Sequence, residues 1–404
     1  MRLPIGWEEA TVSEVVDILD SRRVPLNSEE RGQRKGPIPY WGANGIVDYI
    51  DDHIFDEPLV LMAEDGGYFA EARTRPICHK LDGKAWVNNH AHVIRPVGVE
   101  RDWFYYWFVH RDITPHIKGG TRSKLNQKDL RQLPIFVPPF PEQRRIAEIL
   151  SSVDETIQAT QAVIEQTRKV RQGVLERLLT KGIGHTNFKQ TEIGEIPDGW
   201  DIRRLDELTL RGEGVTYGVV QPGPEEISGV KFIRGGDFPN GTIEVERLRT
   251  IKKETSERYK RTILHGGEVL VSLVGRPGSC AVVPKELCGA NVARQVAMIR
   301  LKDVMNPYLL RSYLLCPIGK KELFKHTIGS VQQVINLADL KTVLVPVPPV
   351  REQEKIVSMV SALLQADDAV LMKLKQLTVL KTALMSDLVT GRKRIVVQDL
   401  VATE

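Results

Sequence analysis

Glu64, Asp65 and Glu71 lie on a glycine-rich stretch and are the first candidates for hydrolytic chemistry, because clustered carboxylates hold the divalent cation of a nuclease. Acidic residues on such loops are ordinary, and no matching set occurs later in the chain. Asn306-Pro307-Tyr308 looks superficially like the Asn-Pro-Pro-Tyr motif of amino methyltransferases, yet it lacks one proline and opens an apolar helical run. No glycine-rich cofactor loop after a strong strand accompanies it. Gly212-x-Gly214-x-x-x-Gly218 has the wrong spacing for a dinucleotide loop and reads as a turn. Cys78 and His79 supply one adjacent pair where a structural zinc needs four ligands. No Ser/His/Asp or Cys/His arrangement is legible from spacing. The expectation is a chain with no catalytic residue and no metal site of its own.

What the sequence does contain is one building block twice. Asn126, Asp129-Leu130, Val137-Pro138-Pro139, Glu142-Gln143 and Ile146 recur at a constant offset of 210 as Asn336, Asp339-Leu340, Val347-Pro348-Pro349, Glu352-Gln353 and Ile356. The offset persists to Leu178-Leu179-Thr180 and Leu388-Val389-Thr390. Upstream, Pro4-x-Gly6-Trp7 answers Pro197-x-Gly199-Trp200 at an offset of 193, so the second copy carries 17 additional residues between its entry and its Pro-Pro-x-x-Glu-Gln junction. A period this long is a duplicated globular domain plus a helix, since solenoid units run only about 20 to 50 residues.

At 404 residues a two-domain chain is the natural expectation. A formal charge of +4 excludes a histone-like wrapper and confines any nucleic-acid surface to local patches. Cys78, Cys280, Cys288 and Cys316 include no Cys-x-x-Cys pair, which argues for a reducing compartment and against a disulfide framework. No basic segment followed by an apolar core opens the chain, and no apolar run approaches the ~20 residues of a membrane helix, so a soluble, cytoplasmic protein with no membrane partner is expected.

Between Gly6-Trp7 and about Leu133, short apolar runs such as Ile46–Ile50 and Pro58–Met62 alternate with Gly, Pro, Asn and Asp and read as strands of an irregular sheet. The aromatic cluster Trp103 to Val109 and its counterpart Tyr308 to Leu315 read as buried helices. After Pro138-Pro139 the period changes to steps of three and four, through Ile146, Ile149, Val153, Ile157, Thr160, Ile164, Thr167, Val170, Val174 and Leu178, with Gly182 just beyond. The second copy gives Ile356, Met359, Leu363, Val370, Leu374, Leu377, Leu380, Leu384 and Leu388, closed by Gly391. Glu142 suits the positive end of the helix dipole. Each stripe has the width that a coiled-coil partner covers, and ~39 residues at ~1.5 Å each make a rod of ~58 Å, so antiparallel pairing of the two helices is expected. The expected segments are a first globular domain at 1–140, a first spacer helix at 141–182, a polar linker and second domain at 183–350, a second helix at 351–391 and a charged tail at 392–404.

The two copies share framework and differ at polar tips. Gly119 to Lys124 before Leu125-Asn126 is answered by Gly329 to Val334 before Ile335-Asn336, Gly66-Gly67 by Gly275-Arg276, and Asn88-Asn89-His90 by Ala293-Arg294-Gln295. Arg, Lys, Asn and Gln are the side chains that read base edges, and glycines let backbone amides approach phosphates. The candidate DNA-binding residues are Arg73, Arg75, Asn88, Asn89, His90, Arg122 and Lys124 in the first domain, and Tyr217, Gln221, Arg234, Arg276, Arg294, Gln295, Gln332 and Gln333 in the second.

With these motifs in order, essentially the whole chain resembles the DNA-specificity subunits of Type I restriction-modification systems. The carriers are the Pro-x-Gly-Trp entries, the two Val-Pro-Pro-x-x-Glu-Gln-x-x-Ile junctions, the helix ends Leu178 to Gly182 and Leu388 to Gly391, and the approach Lys189 to Pro197. The resemblance implies an α+β fold: two tandem target-recognition domains of mixed α/β structure with irregular twisted sheets, separated by two long antiparallel coiled-coil helices in a pseudo-twofold arrangement. Each domain would read one half of a bipartite, asymmetric site in double-stranded DNA, and the helices would set the gap and dock two modification subunits. S-adenosylmethionine, ATP and Mg would belong to those and to restriction/translocase subunits, leaving this chain a non-catalytic member of a Type I site-specific deoxyribonuclease. Two departures are Thr160 and Thr167 in the first helical stripe, and Lys181 between Thr180 and Gly182 where Thr390 meets Gly391 directly. Against this stand a coiled-coil scaffold indifferent to sequence and an autonomous methyltransferase or nuclease.

Overall fold

The computed structural model describes residues 3–117, 123–212, 214–239, 241–325 and 334–395. The chain forms two compact units, Met1–Ala162 with Leu371–Glu404, and Val163–Val370. Both follow one plan.

In the first unit, Glu8–Thr11 pairs antiparallel with Pro134–Val137, so both ends of the domain meet in one ribbon. A four-stranded antiparallel sheet runs in the order Val16–Ile18, Ala91–Pro96, Leu59–Ala63, Cys78–Leu81. A second sheet contains Gly45–Ile50, Lys35–Gly42, Lys84–Val87 and Phe55–Asp56, with a parallel pair at Tyr40 and Trp86. Leu59–Ala63 is apolar throughout because both of its faces are covered: Val60 and Met62 enter the cluster with Trp103 and Phe104, while Leu59 and Leu61 face Phe55 and Val87. The aromatic segment forms helix Arg101–Phe108, started by the Glu100 carboxylate accepting from the Trp103 N–H. Trp103, Phe104, Tyr106, Trp107 and Phe108 are buried, so these rings are core.

In the second unit, Asp201–Arg204 pairs with Leu344–Val347. The sheet order is Val215–Tyr217, Val296–Ile299, Val269–Ser272, Cys280–Val282, and a smaller sheet holds Arg249–Ile251, Val230–Ile233 and Asn291–Val292. Val269 and Val271 face one cluster and Leu270 the other, as in the first unit. The offset between equivalent strands rises from 197 (Ile18 to Val215) to 209 (Val60 to Val269), which places most of the extra residues in the connection containing helix Lys253–Arg258. Part of the segment expected to be a polar linker is an antiparallel hairpin, Phe188–Thr191 with Gly194–Pro197, turned by Gly194 at φ +105°.

The long helices are Phe140–Lys181 and Val350–Leu384, the latter continued by a π turn at Met385–Val389. Within the first unit their segments run antiparallel: Asp154 pairs with Lys381 at 2.6 Å, and Ile146 shares a core with Leu388 and Val389. Within the second, Leu178 and Leu179 share a core with Ile356 and Val360. Thr160 is accommodated by donating to the Thr156 carbonyl at 2.7 Å. The apolar stripe is not covered throughout, since the equivalent positions Val170 and Leu380 are 62% and 47% exposed.

The repeated motifs close each unit on itself. The Trp7 indole donates to Glu142 at 3.1 Å, and the Trp200 indole to Glu352 at 3.0 Å. Gln143 donates to the Pro138 carbonyl and accepts from the Glu100 N–H; Gln353 does the same with Pro348 and Asn306. The helix-ending glycines complete these closures. Gly391 (φ +70°) lies against Pro4 and Trp7, where an added Cβ would stand 2.5 Å from the proline ring, and a Cβ on Gly182 (φ +64°) would stand 2.7 Å from Trp200. Three residues beyond each glycine a base engages the indole-bonded carboxylate: Arg394 grips Glu142 through two 2.8 Å bonds, and His185 meets Glu352 at 2.8 Å. The helix dipole therefore accounts for only part of why Glu142 is placed where it is.

Candidate nucleic-acid interface

In each unit the polar tips gather at one edge because backbone hydrogen bonds tie their loops together. In the first, Glu64 N–H donates to the His90 carbonyl at 2.8 Å, Leu125 N–H to the Glu64 carbonyl at 2.7 Å, and Asn88 N–H to Trp41 at 3.0 Å. The second repeats the scheme: Leu273 N–H donates to Gln295 at 2.8 Å, Ile335 N–H to Leu273 at 3.1 Å, and Ala293 N–H to Ile233 at 2.9 Å, bringing Arg234 beside them. Arg294 N–H also donates to Val219 at 2.9 Å.

The individual side chains are placed as follows. Arg73, Arg75, Asn89 and Lys124 are exposed. Arg75 stacks over the Tyr68 ring at 3.1 Å and faces Glu71 at 3.6 Å. Asn88 is only 9% exposed, and its Oδ1 accepts from the His90 N–H at 2.8 Å, so it shapes its own turn. His90 contacts Asp65 through Nδ1, and Lys124 lies 3.1 Å from Glu64. Tyr217, Gln221, Arg276, Arg294 and Gln295 are exposed. Arg234 is held by Asp237 through bonds of 2.9 and 3.2 Å, and that carboxylate raises its guanidinium further. Arg122, Gln332 and Gln333 lie outside the described residues.

Several residues escape sequence reasoning. Asn44 donates to the Gly66 carbonyl at 2.9 Å and links a hairpin tip to the glycine loop. Trp41 and His79 lie with ring centroids 5.8 Å apart, and Trp41 Nε1 and His79 Nε2 are buried without a protein partner. Behind the first edge sits a charged cluster. His92 is fully buried, with Nδ1 2.6 Å from Asp20 and Nε2 2.7 Å from the Leu125 carbonyl. Arg23 reaches Glu64 at 2.7 Å and Asp20 at 3.5 Å. Burial works to raise the Glu64 carboxyl, but the Arg23 and Lys124 bonds outweigh it and hold the group below its usual range. Asp20, Glu64 and His92 come close enough together to ligate a cation, yet Arg23 and Lys124 already neutralise both acids. Glu64, from the acidic set weighed above and set aside, is thus a structural partner of two bases.

Comparison with known proteins agrees with this duplicated architecture. Residues 4–167 and 197–378 each match the family described as the Type I restriction modification DNA specificity domain. The chain belongs to this family. Its specificity-subunit relatives include the Type I restriction enzyme EcoBI specificity subunit of Escherichia coli, 29% identical over 275 residues, which are 64% of this chain and 57% of that one. A putative Type I specificity subunit of Haemophilus influenzae is 28% identical over 368 residues, covering 88% of this chain and 86% of that one. The MjaVIII specificity subunit of Methanocaldococcus jannaschii is 24% identical over 98% of this chain and 95% of its own. Among solved structures, the S subunit of a Type I system from M. genitalium aligns with a TM-score of 0.61 at 16% identity, over 96% of this chain and 98% of that one. A chain from a structural study of type I R-M complex assembly aligns at 0.57 and 19% identity, over 97% and 100%. These likenesses support the fold: two specificity domains with long helices.

Proposed function

We propose that this chain is the sequence-reading subunit of a Type I restriction-modification complex, each domain reading one half of a bipartite, asymmetric site in double-stranded DNA. The observation that carries the reading is the pair of equivalent loop edges, tied by the same backbone bonds through Glu64 and Leu273 but presenting different side chains. A shared frame with divergent tips is what two different half-sites require, because side chains at base edges specify while the frame positions. The chain then needs no catalytic centre. The exposed apolar positions Val170 and Leu380, equivalent on the two helices, suit docking of two modification subunits. Those subunits would supply S-adenosylmethionine-dependent adenine methylation, and restriction/translocase subunits the ATP- and Mg-dependent steps.

Co-expression with the candidate modification subunit, followed by single-molecule sequencing of genomic DNA, tests this. Methylated adenines confined to one split, asymmetric motif are expected. A stable complex with no motif would favour a sequence-indifferent scaffold, and methylation by this chain alone would reveal an autonomous enzyme. Arg276→Ala should cost about 1 to 3 kcal/mol and relax one half-site if it reads a base, or weaken all sequences alike if it holds a phosphate.

A further inference from the structure

We propose that His92 is the positioning residue of the first domain's reading edge, a buried ring that braces the Asp20 carboxylate against the Leu125 carbonyl and so fixes the backbone from which Lys124 extends. This rests on the reading of that edge as a DNA surface.

The hydrogen-bond arithmetic is restrictive. Nε2 faces the Leu125 carbonyl oxygen at 2.7 Å, which only accepts, so Nε2 carries a hydrogen. Nδ1 faces Asp20 Oδ2 at 2.6 Å. The same carboxylate accepts from the Val93 N–H at 2.9 Å and from Gln127 Nε2 at 3.3 Å, with Arg23 at 3.5 Å. Burial on its own would raise the Asp20 carboxyl; His92, the Val93 N–H and Arg23 outweigh it and hold it below its usual range. The ring therefore bridges the Asp20 carboxylate and the Leu125 carbonyl, one at each nitrogen.

Charged groups surround the ring. Asp20 faces the ring from the turn Asp20–Arg22, with Arg23 just after it. Glu64 approaches Nδ1 to 3.7 Å from beyond strand Leu59–Ala63 and is itself paired with Arg23 and Lys124. The Asp65 and His90 pair flanks the cluster. Both polar backbone groups of Leu125 are thereby fixed, its N–H by Glu64 and its carbonyl by His92. The second domain has the first of these bonds, Ile335 to Leu273, but Ala297 stands where His92 does and donates nothing. The brace belongs to one domain.

The test uses the full chain in complex with its modification subunit, and duplexes carrying the mapped motif intact or with either half scrambled. His92→Leu is expected to lower discrimination at one half about tenfold or more and leave the other half unchanged. Asp20→Asn keeps a hydrogen-bonding group opposite Nδ1, so the ring keeps its bond to Leu125 and this variant should retain discrimination. Equal loss at both halves with His92→Leu, or a loss with Asp20→Asn as large as with His92→Leu, overturns the brace. Preference for neither half in the wild type overturns the DNA reading along with it, whereas two well-read halves indifferent to His92→Leu remove only the brace.

Discussion

The two loop edges have the same backbone frame and opposite chemistry behind it. In the first domain the central junction is Glu64, with His92 on the neighbouring strand and the exposed Lys124 at the incoming loop, a polar network closed by Asp20 and Arg23. In the second the same three positions are Leu273, Ala297 and Val334, and Leu273 belongs to the hydrophobic core. One backbone scheme can therefore be supported either by packing or by paired charge. The difference is in what each costs to disturb: an apolar junction tolerates loss of volume in proportion to the cavity, while a charged one depends on every partner being present.

The comparison breaks most visibly if the second junction is given the first one's acid. Leu273→Glu places a carboxylate in an apolar core site, and should destabilise the second unit by about 3 to 5 kcal/mol in denaturant unfolding. A cost under about 1 kcal/mol would mean that the site is wetter than its burial indicates. The reverse change, Glu64→Leu, strips Arg23 and Lys124 of their shared partner and should cost the first unit about 3 kcal/mol. Reading Tm for both variants shows whether each loss stays in its own unit. The helix-ending glycines sharpen the contrast on a smaller scale. Gly182→Ala and Gly391→Ala each force a side chain onto positive φ and into Trp200 or Pro4, and each should cost about 1 to 2 kcal/mol. Mild acid gives the finest comparison. Asp20 and Glu64 have folded values held below their ordinary ones, so the stability they lend is complete above the unfolded carboxylate range and is lost as pH falls from there through their lower folded values. Hydrogen exchange on lowering the pH should accordingly open the first edge before the second.

Much of this was legible in the sequence, and the failures have physical reasons. The repeat and the three-four periodicity located both long helices, and the apolar runs read correctly as strands. The closures were visible as motifs but not as contacts, because Trp7 and Glu142 are 135 residues apart and spacing carries no information about their meeting. Residue type alone nominated Asn88, whereas its burial follows from a turn in which its own side chain is the acceptor. The pairs Glu71 with Arg75 and Arg234 with Asp237 were legible in principle, since steps of four and three bring such residues together. His92 was hidden inside Ala91-His92-Val93-Ile94, and only superposing the two central sheets reveals that an alanine suffices at its place. The hairpin at Phe188–Thr191 and Gly194–Pro197 looked like a linker because it is short and polar.

The two carboxylate closures also differ in when they can form. Glu352 meets His185 across 167 residues, all inside a continuous stretch of chain. Glu142 must wait for Arg394, 252 residues later, because the first unit borrows its second helical segment from beyond the second unit. During synthesis from the N-terminus, the domain made first is thus the one finished last. Until Arg394 emerges from the ribosome, the Glu142 carboxylate lacks the guanidinium that grips it, and the newborn first domain spends that interval incomplete while the second domain's chain is already whole.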